Sequence, residues 1–98
     1  MTGPIYRLGE DAAFEAFDDG GLILDLNNIT FTELNTTARD ILQATDGKHS
    51  LQEVAAVIAR EYEIDTKTAL ADVHELYDDL TKQGILVEIA SSKKEEKS

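Results

Sequence analysis

The feature that most constrains the fold is a change of period at a single residue. From Ala13 to Leu34 the chain reads AFEAF, DDGG, LILDL, NN, ITFTEL: short runs rich in Phe, Ile, Leu and Thr, separated by residues that tolerate positive φ. From Asn35 onward apolar residues return every three or four positions. A period of two belongs to half-buried strands and one near 3.6 to amphipathic helices. A strand unit must therefore precede a helical unit, and the stretch TELNTTARDILQATDG, Thr32 to Gly47, is the junction.

Asp18-Asp19-Gly20-Gly21 and Asn27-Asn28 read as hairpin turns, giving a three-stranded antiparallel meander. If Asn27-Asn28 is a two-residue loop, Leu26 faces Ile29, Leu24 faces Phe31 and Leu22 faces Glu33. That register puts Leu22, Leu24, Leu26, Ile29 and Phe31 on one side, which is expected to be core. Ile23, Asp25, Thr30 and Thr32 fall on a wetter side. The third strand, about Ile29 to Leu34, is left as an edge, and a free edge is a template for another chain.

In the second half, Asn35 is a good N-cap for a helix carrying Ala38, Ile41, Leu42 and Thr45 on one face and stopping at Asp46-Gly47, with Gly47 suited to the C′ position. Ser50 and Glu53 form a capping box for a second helix with Leu51, Val54, Ala55, Ile58 and Tyr62 as its stripe. Asp65 caps a third, longer helix to about Gln83, stopped by Gly84, with Ala69, Leu70, Val73, Leu76, Tyr77 and Leu80 as its apolar set. The Leu70 and Tyr77 margin of that set, followed by His74, is expected to face a groove. ILVEI, Ile85 to Ile89, returns as a strand or packs as a C-terminal extension. The expected fold is α+β and winged-helix-like, a three-stranded antiparallel β-meander followed by three α-helices. Residues 1–12 form an N-terminal segment, 13–90 the domain, and 91–98 a charged tail too polar to offset its ordering entropy, hence disordered.

With 98 residues, 42% of them apolar, one core is all the chain can bury. Its formal charge is −11, and because the tail holds three Lys against two Glu, the remainder carries −12. Such a field repels a polyphosphate backbone, so nucleic acid is not an expected partner. A winged-helix DNA-binding or transcription-associated domain is the alternative, but the third helix offers Lys67 and Lys82 against Asp72, Glu75, Asp78 and Asp79, which leaves little to contact phosphate. The absence of Cys excludes disulfides and thiolate chemistry. No apolar run reaches the roughly 20 residues of a membrane span and the N-terminus lacks an export signal, so a cytoplasmic location and no membrane partner are expected. His49 and His74 are isolated, and no spacing suggests a metal or another cofactor. The acidic cluster of the third helix reads as a solvated face. No nucleophile has a base beside it, so the chain is not expected to be an enzyme, and a binding surface is what remains.

The order and spacing of Leu34-Asn35, Ala38, Ile41-Leu42, Asp46-Gly47, the capping Ser50, Tyr62, Asp72-Val73, Leu80 and Gly84 resemble the PqqD family over about Ala13 to Val87. The resemblance implies a RiPP recognition element: a domain that binds the leader segment of a ribosomally made precursor peptide and presents it to a modifying enzyme, commonly a radical SAM protein. In such elements the leader adds as a strand to the third strand and lies against the third helix. Carried onto this chain, that names Thr30, Phe31, Thr32, Glu33 and Leu34 for the strand contact and Leu70, Val73, His74 and Tyr77 for the opposite wall. About five backbone hydrogen bonds at roughly 0.5 to 1.5 kcal/mol each do not by themselves offset an association cost on the order of 4 to 15 kcal/mol, so side-chain pockets must add the rest and the specificity. The acidic body implies faster capture of a leader carrying Lys or Arg. The members that serve pyrroloquinoline quinone synthesis usually carry Pro-Glu after the second strand, where this chain has Asp25-Leu26-Asn27-Asn28. Another peptide pathway is thus as compatible with the sequence as PQQ biosynthesis. An open edge also permits self-pairing, so both monomer and dimer are compatible with it.

Overall fold

The computed structural model describes residues 3–91. Its elements run β1 (Pro4–Leu8), β2 (Ala12–Phe17), β3 (Gly20–Asp25), β4 (Thr30–Leu34), α1 (Thr36–Ala44), α2 (Leu51–Tyr62), α3 (Thr66–Lys82) and β5 (Leu86–Ser91). The expected α+β arrangement is present: an antiparallel sheet in the order β2-β3-β4, then three helices. A second sheet pairs β1 with β5. Residues 4–8, set apart from the domain on sequence, are thereby tied into it. The tail expected to be disordered lies, beyond Ser91, outside the described residues.

Asp18 and Asp19 make a two-residue loop that pairs Phe17 with Gly20. Close approach explains the glycines that follow. A Cβ on Gly20 would meet the Leu34 carbonyl oxygen, and one on Gly21 would sit 3.0 Å from the Glu15 carbonyl oxygen and 3.2 Å from the Phe14 ring. Across β3 and β4 the register is the expected one, Leu22 opposite Glu33 and Leu24 opposite Phe31. The loop between them is longer than Asn27-Asn28, running from Leu26 to Ile29. Asp25 organises it: its carboxylate accepts from the Asn27 backbone N–H at 3.1 Å, the Asn28 backbone N–H at 3.4 Å and Asn28 Nδ2 at 2.8 Å. Ile29 leaves the loop at φ +53°, a left-handed conformation that costs a β-branched residue free energy.

The sheet face is the reverse of the one expected. Leu26, Ile29 and Phe31 are 52, 77 and 69% exposed, whereas Ile23 and Asp25 are 0 and 5% exposed. The helical layer decides this, because α1 packs on β3 from the side that holds Gly21, Ile23 and, in register with them, Phe14 and Leu34. Asp25 looks like a solvent residue, but three turn donors satisfy it, and a carboxylate so bonded tolerates burial.

The helix boundaries follow their caps. Asn35 Oδ1 accepts from the Ala38 N–H at 2.9 Å, Ser50 and Glu53 form both bonds of the capping box, and Asp65 Oδ1 accepts from the Thr68 N–H at 2.9 Å. Hydrogen bonds from Thr68, first its backbone N–H and then its side chain, hold the Asp65 carboxyl below its ordinary value. α1 ends earlier than expected, at a Thr45 cap, so Gly47 falls one place beyond C′ at φ +82°. At the end of α3, Gly84 takes φ +80°, its N–H reaches the Thr81 carbonyl and that of Ile85 reaches the Leu80 carbonyl, the paired bonds of a Schellman stop. β5 then turns back along β1. The core gathers Ile41, Leu42, Val54, Ile58, Val73, Tyr77, Leu80, Ile85 and Leu86 around Ile23.

Candidate peptide-binding edge and cleft

β4 pairs with β3 on one side and, among the described residues, with no strand on the other. Alternate backbone N–H and C=O groups between Thr30 and Leu34 therefore point outward unpaired. Thr30, Phe31 and Glu33 are exposed, Thr32 is half-buried and Leu34 is buried. By the alternation of a strand, Thr30, Thr32 and Leu34 share the face of Ile23, while Phe31 and Glu33 share that of Leu22 and Leu24. β2 is the other edge of the sheet, so a free edge alone does not single out β4.

What singles it out is the ground it runs into. Immediately after Leu34 begins a cleft of about 730 Å³ between the first half of α1 and one flank of α3. Asn35, Thr37, Ala38 and Ile41 line it from α1; Asp72, Glu75, Leu76, Asp78, Asp79 and Lys82 line it from α3. Its apolar contribution is Ala38, Ile41 and Leu76, and its charge is four carboxylates against one ammonium. An extended chain laid along β4 meets this cleft as it passes the end of the strand. Such a site offers a backbone ladder, one greasy floor and a negative rim, and a basic or amphipathic peptide suits all three.

The helical wall expected on sequence lies on the other flank of α3. Val73 is 0% and Tyr77 2% exposed, so both are core, Leu70 is half-buried against the core, and His74 is exposed on the same side. β1 is the physical reason. Tyr6 from that strand lies over Tyr77 with ring centroids 4.6 Å apart, closing the flank that the helical pattern alone leaves open. The Tyr77 hydroxyl is 2.6 Å from Thr45 Oγ1, which already gives its own proton to the Ile41 carbonyl at 2.7 Å. Tyr77 must therefore be the donor in this pair. Burial pushes the Tyr77 phenol up to about 12. The cleft residues not singled out on sequence include Ala38 and Ile41 of α1 and Leu76, Asp72 and Asp79 of α3. The signal for the α3 residues was a half-apolar position, Leu76, with acids four residues before and three after it, which places all three on one strip of helix surface.

A polar strut ties α1 to its neighbours. Arg39 Nη1 donates to the Phe17 and Asp18 carbonyls at 2.6 and 3.0 Å, and its Nε donates to Asp40 Oδ1 at 2.9 Å. Tyr62 donates to Asp40 Oδ2 at 2.6 Å. The β2–β3 turn, α1 and α2 are locked together. Burial pushes the Asp40 carboxyl up, but the hydrogen bonds from Tyr62 and Arg39 and the Arg39 charge outweigh it and hold it below the ordinary carboxylate value. Among the described residues no three His, Cys, Asp or Glu side chains converge as metal ligands, and no helix is long and apolar enough to cross a membrane.

Several solved structures share this fold. A lasso peptide synthetase B1 complexed with the leader peptide is 29% identical, with 84% of this chain and 96% of that one covered at a TM-score of 0.74. TbiB1 in complex with the TbiA(beta) leader peptide is 20% identical over 86% and 98%, with a TM-score of 0.77. The PqqD truncation of Methylobacterium extorquens PqqCD, a stand-alone RiPP recognition element, is 18% identical over 85% and 88%, with a TM-score of 0.71. No curated protein sequence matches. The family model of coenzyme PQQ synthesis protein D matches residues 20–86, a span running from the first residue of β3 to the start of β5. The chain belongs to the PqqD family.

Proposed function

We propose that this protein is a non-catalytic, cytoplasmic peptide-recognition element. It takes the leader segment of a ribosomally made precursor as an added strand on β4, seats leader side chains on Leu76, Ala38 and Ile41, and presents the bound peptide to a modifying enzyme. The observation that carries this reading is the free edge of β4 followed at once, from Asn35 on, by the cleft that Leu76 lines. Two of the similar structures hold leader peptides, which supports the same use here. Thr30 to Leu34 supply the ladder. Leu34 does so through its backbone alone, because its side chain is buried. Val73 and Tyr77 hold α3 at the right height without touching the peptide.

The test uses the leader of the precursor encoded beside this chain's gene. N-methylating alternate leader residues removes only the donors on one side of a strand. One alternate set is expected to weaken binding by roughly 5- to 100-fold, as two or so backbone bonds are lost, and the other set to change it little. Equal loss from both sets would contradict strand addition. A duplex DNA titration at low salt is expected to give no binding, as the negative field requires.

A further inference from the structure

The outer face of the three-stranded sheet is an apolar surface that no element among the described residues covers. Cross-strand register stacks Ala13, Leu24 and Phe31 in one row, and the β3–β4 loop extends that row with Leu26 and Ile29. Ile29 is doubly disfavoured as it stands. Its side chain is 77% exposed and its backbone is left-handed at φ +53°, where Asn or Gly would cost less. A strained, exposed apolar residue at the end of a loop points to a contact made with something else.

The charges around the patch say what kind of surface that is. The adjoining row is Glu15, Leu22 and Glu33. On the far side the Asp11 carbonyl accepts from the Leu26 N–H at 2.8 Å, which sets Asp11, an exposed acidic residue, beside Leu26. Residues 10–34 contain no Lys or Arg. Turning a second copy onto this face would set carboxylates against carboxylates with no cation to answer them, so the face is suited to an unlike surface with an apolar centre ringed by Lys or Arg. We infer that the Leu24, Phe31, Leu26 and Ile29 face docks such a surface on the peptide-modifying enzyme. The inference rests on the leader-binding reading, because Phe31 belongs to β4 and an enzyme seated there lies beside the strand-added peptide.

The experiment uses the purified modifying enzyme encoded beside this chain's gene, with the full-length protein as wild type, as the double variant Leu26→Lys/Ile29→Lys, and as Ile29→Asn. Asn tolerates the left-handed backbone, so Ile29→Asn removes the exposed apolar side chain without endangering the fold. Enzyme affinity is expected to fall at least about tenfold in the double variant and about threefold in Ile29→Asn, while leader affinity stays within about twofold. Glu15→Lys should slow enzyme association at low salt and lose that effect at high salt. The inference is overturned if wild type fails to bind the enzyme or if the double variant binds it equally well. It is also overturned if leader affinity falls in step, which would give the patch to the leader, or if wild type is a dimer that the double variant separates. Patch-dependent enzyme binding by a protein that takes no leader would keep the docking face and sink the leader reading instead.

Discussion

The two flanks of α3 carry similar apolar residues and have opposite fates. On one, Leu70 packs against the core and Tyr77 lies under β1, whose Tyr6 closes over it. On the other, Leu76 sits between Asp72 and Asp79 with only the cleft before it. The difference teaches that a helical stripe reports how much apolar surface must be covered but not by what. The chain covers one flank with its own β1 and leaves the other open, and it is on the open flank that the proposed leader site lies.

Substitutions that separate the flanks test this contrast. The largest effect is expected from Tyr77→Ala, a buried aromatic removed from a packed core, at about 3–5 kcal/mol of unfolding free energy by urea titration. Next is Leu76→Ala. It should weaken leader binding by roughly tenfold, about 1.4 kcal/mol, while costing stability less than Tyr77→Ala does; equal leader affinity in Leu76→Ala and wild type would erase the distinction. Tyr77→Phe removes one buried hydrogen bond and should cost about 0.5–1.5 kcal/mol of stability with no effect on the leader.

That last pair also has a pH signature. The phenol is held up at about 12 in the folded protein against about 10 in an unfolded chain. Its contribution is therefore complete below pH 10 and disappears as pH rises toward 12, so the stability gap between wild type and Tyr77→Phe should narrow over that window. The smallest effect is expected from Asp72→Asn/Asp79→Asn. Association of a basic leader should slow a few-fold at low salt and not at high salt.

The sequence revealed what is local. Asn35, Ser50 with Glu53, Asp65 and Gly84 each act within three or four residues of themselves, and each does in the structure what its chemistry announces. The β3–β4 register was legible because both strands flank the same Asn-containing turn. What lay hidden depends on distant partners. PIYRL becomes β1 only because Leu86–Ser91 comes back to pair with it, and that pairing decides which flank of α3 is core. The inverted sheet face has the same origin: Leu24 and Phe31 look like core residues until α1 chooses the side of Ile23, and Asp25 looks like a surface residue until the Asn27 and Asn28 donors satisfy it. The candidate site was half legible for the same reason. Its strand, Thr30 to Leu34, is local; its wall at Leu76 is set by which flank β1 closes.

The central claim is that β4, and not the equally unpaired β2, receives the leader. Amide hydrogen exchange of the protein with and without saturating leader peptide tests it directly. Binding is predicted to slow exchange at alternate residues between Thr30 and Leu34 while leaving the outward amides of Ala12–Phe17 unchanged. Slowing along β2 with no change along β4 would contradict the account.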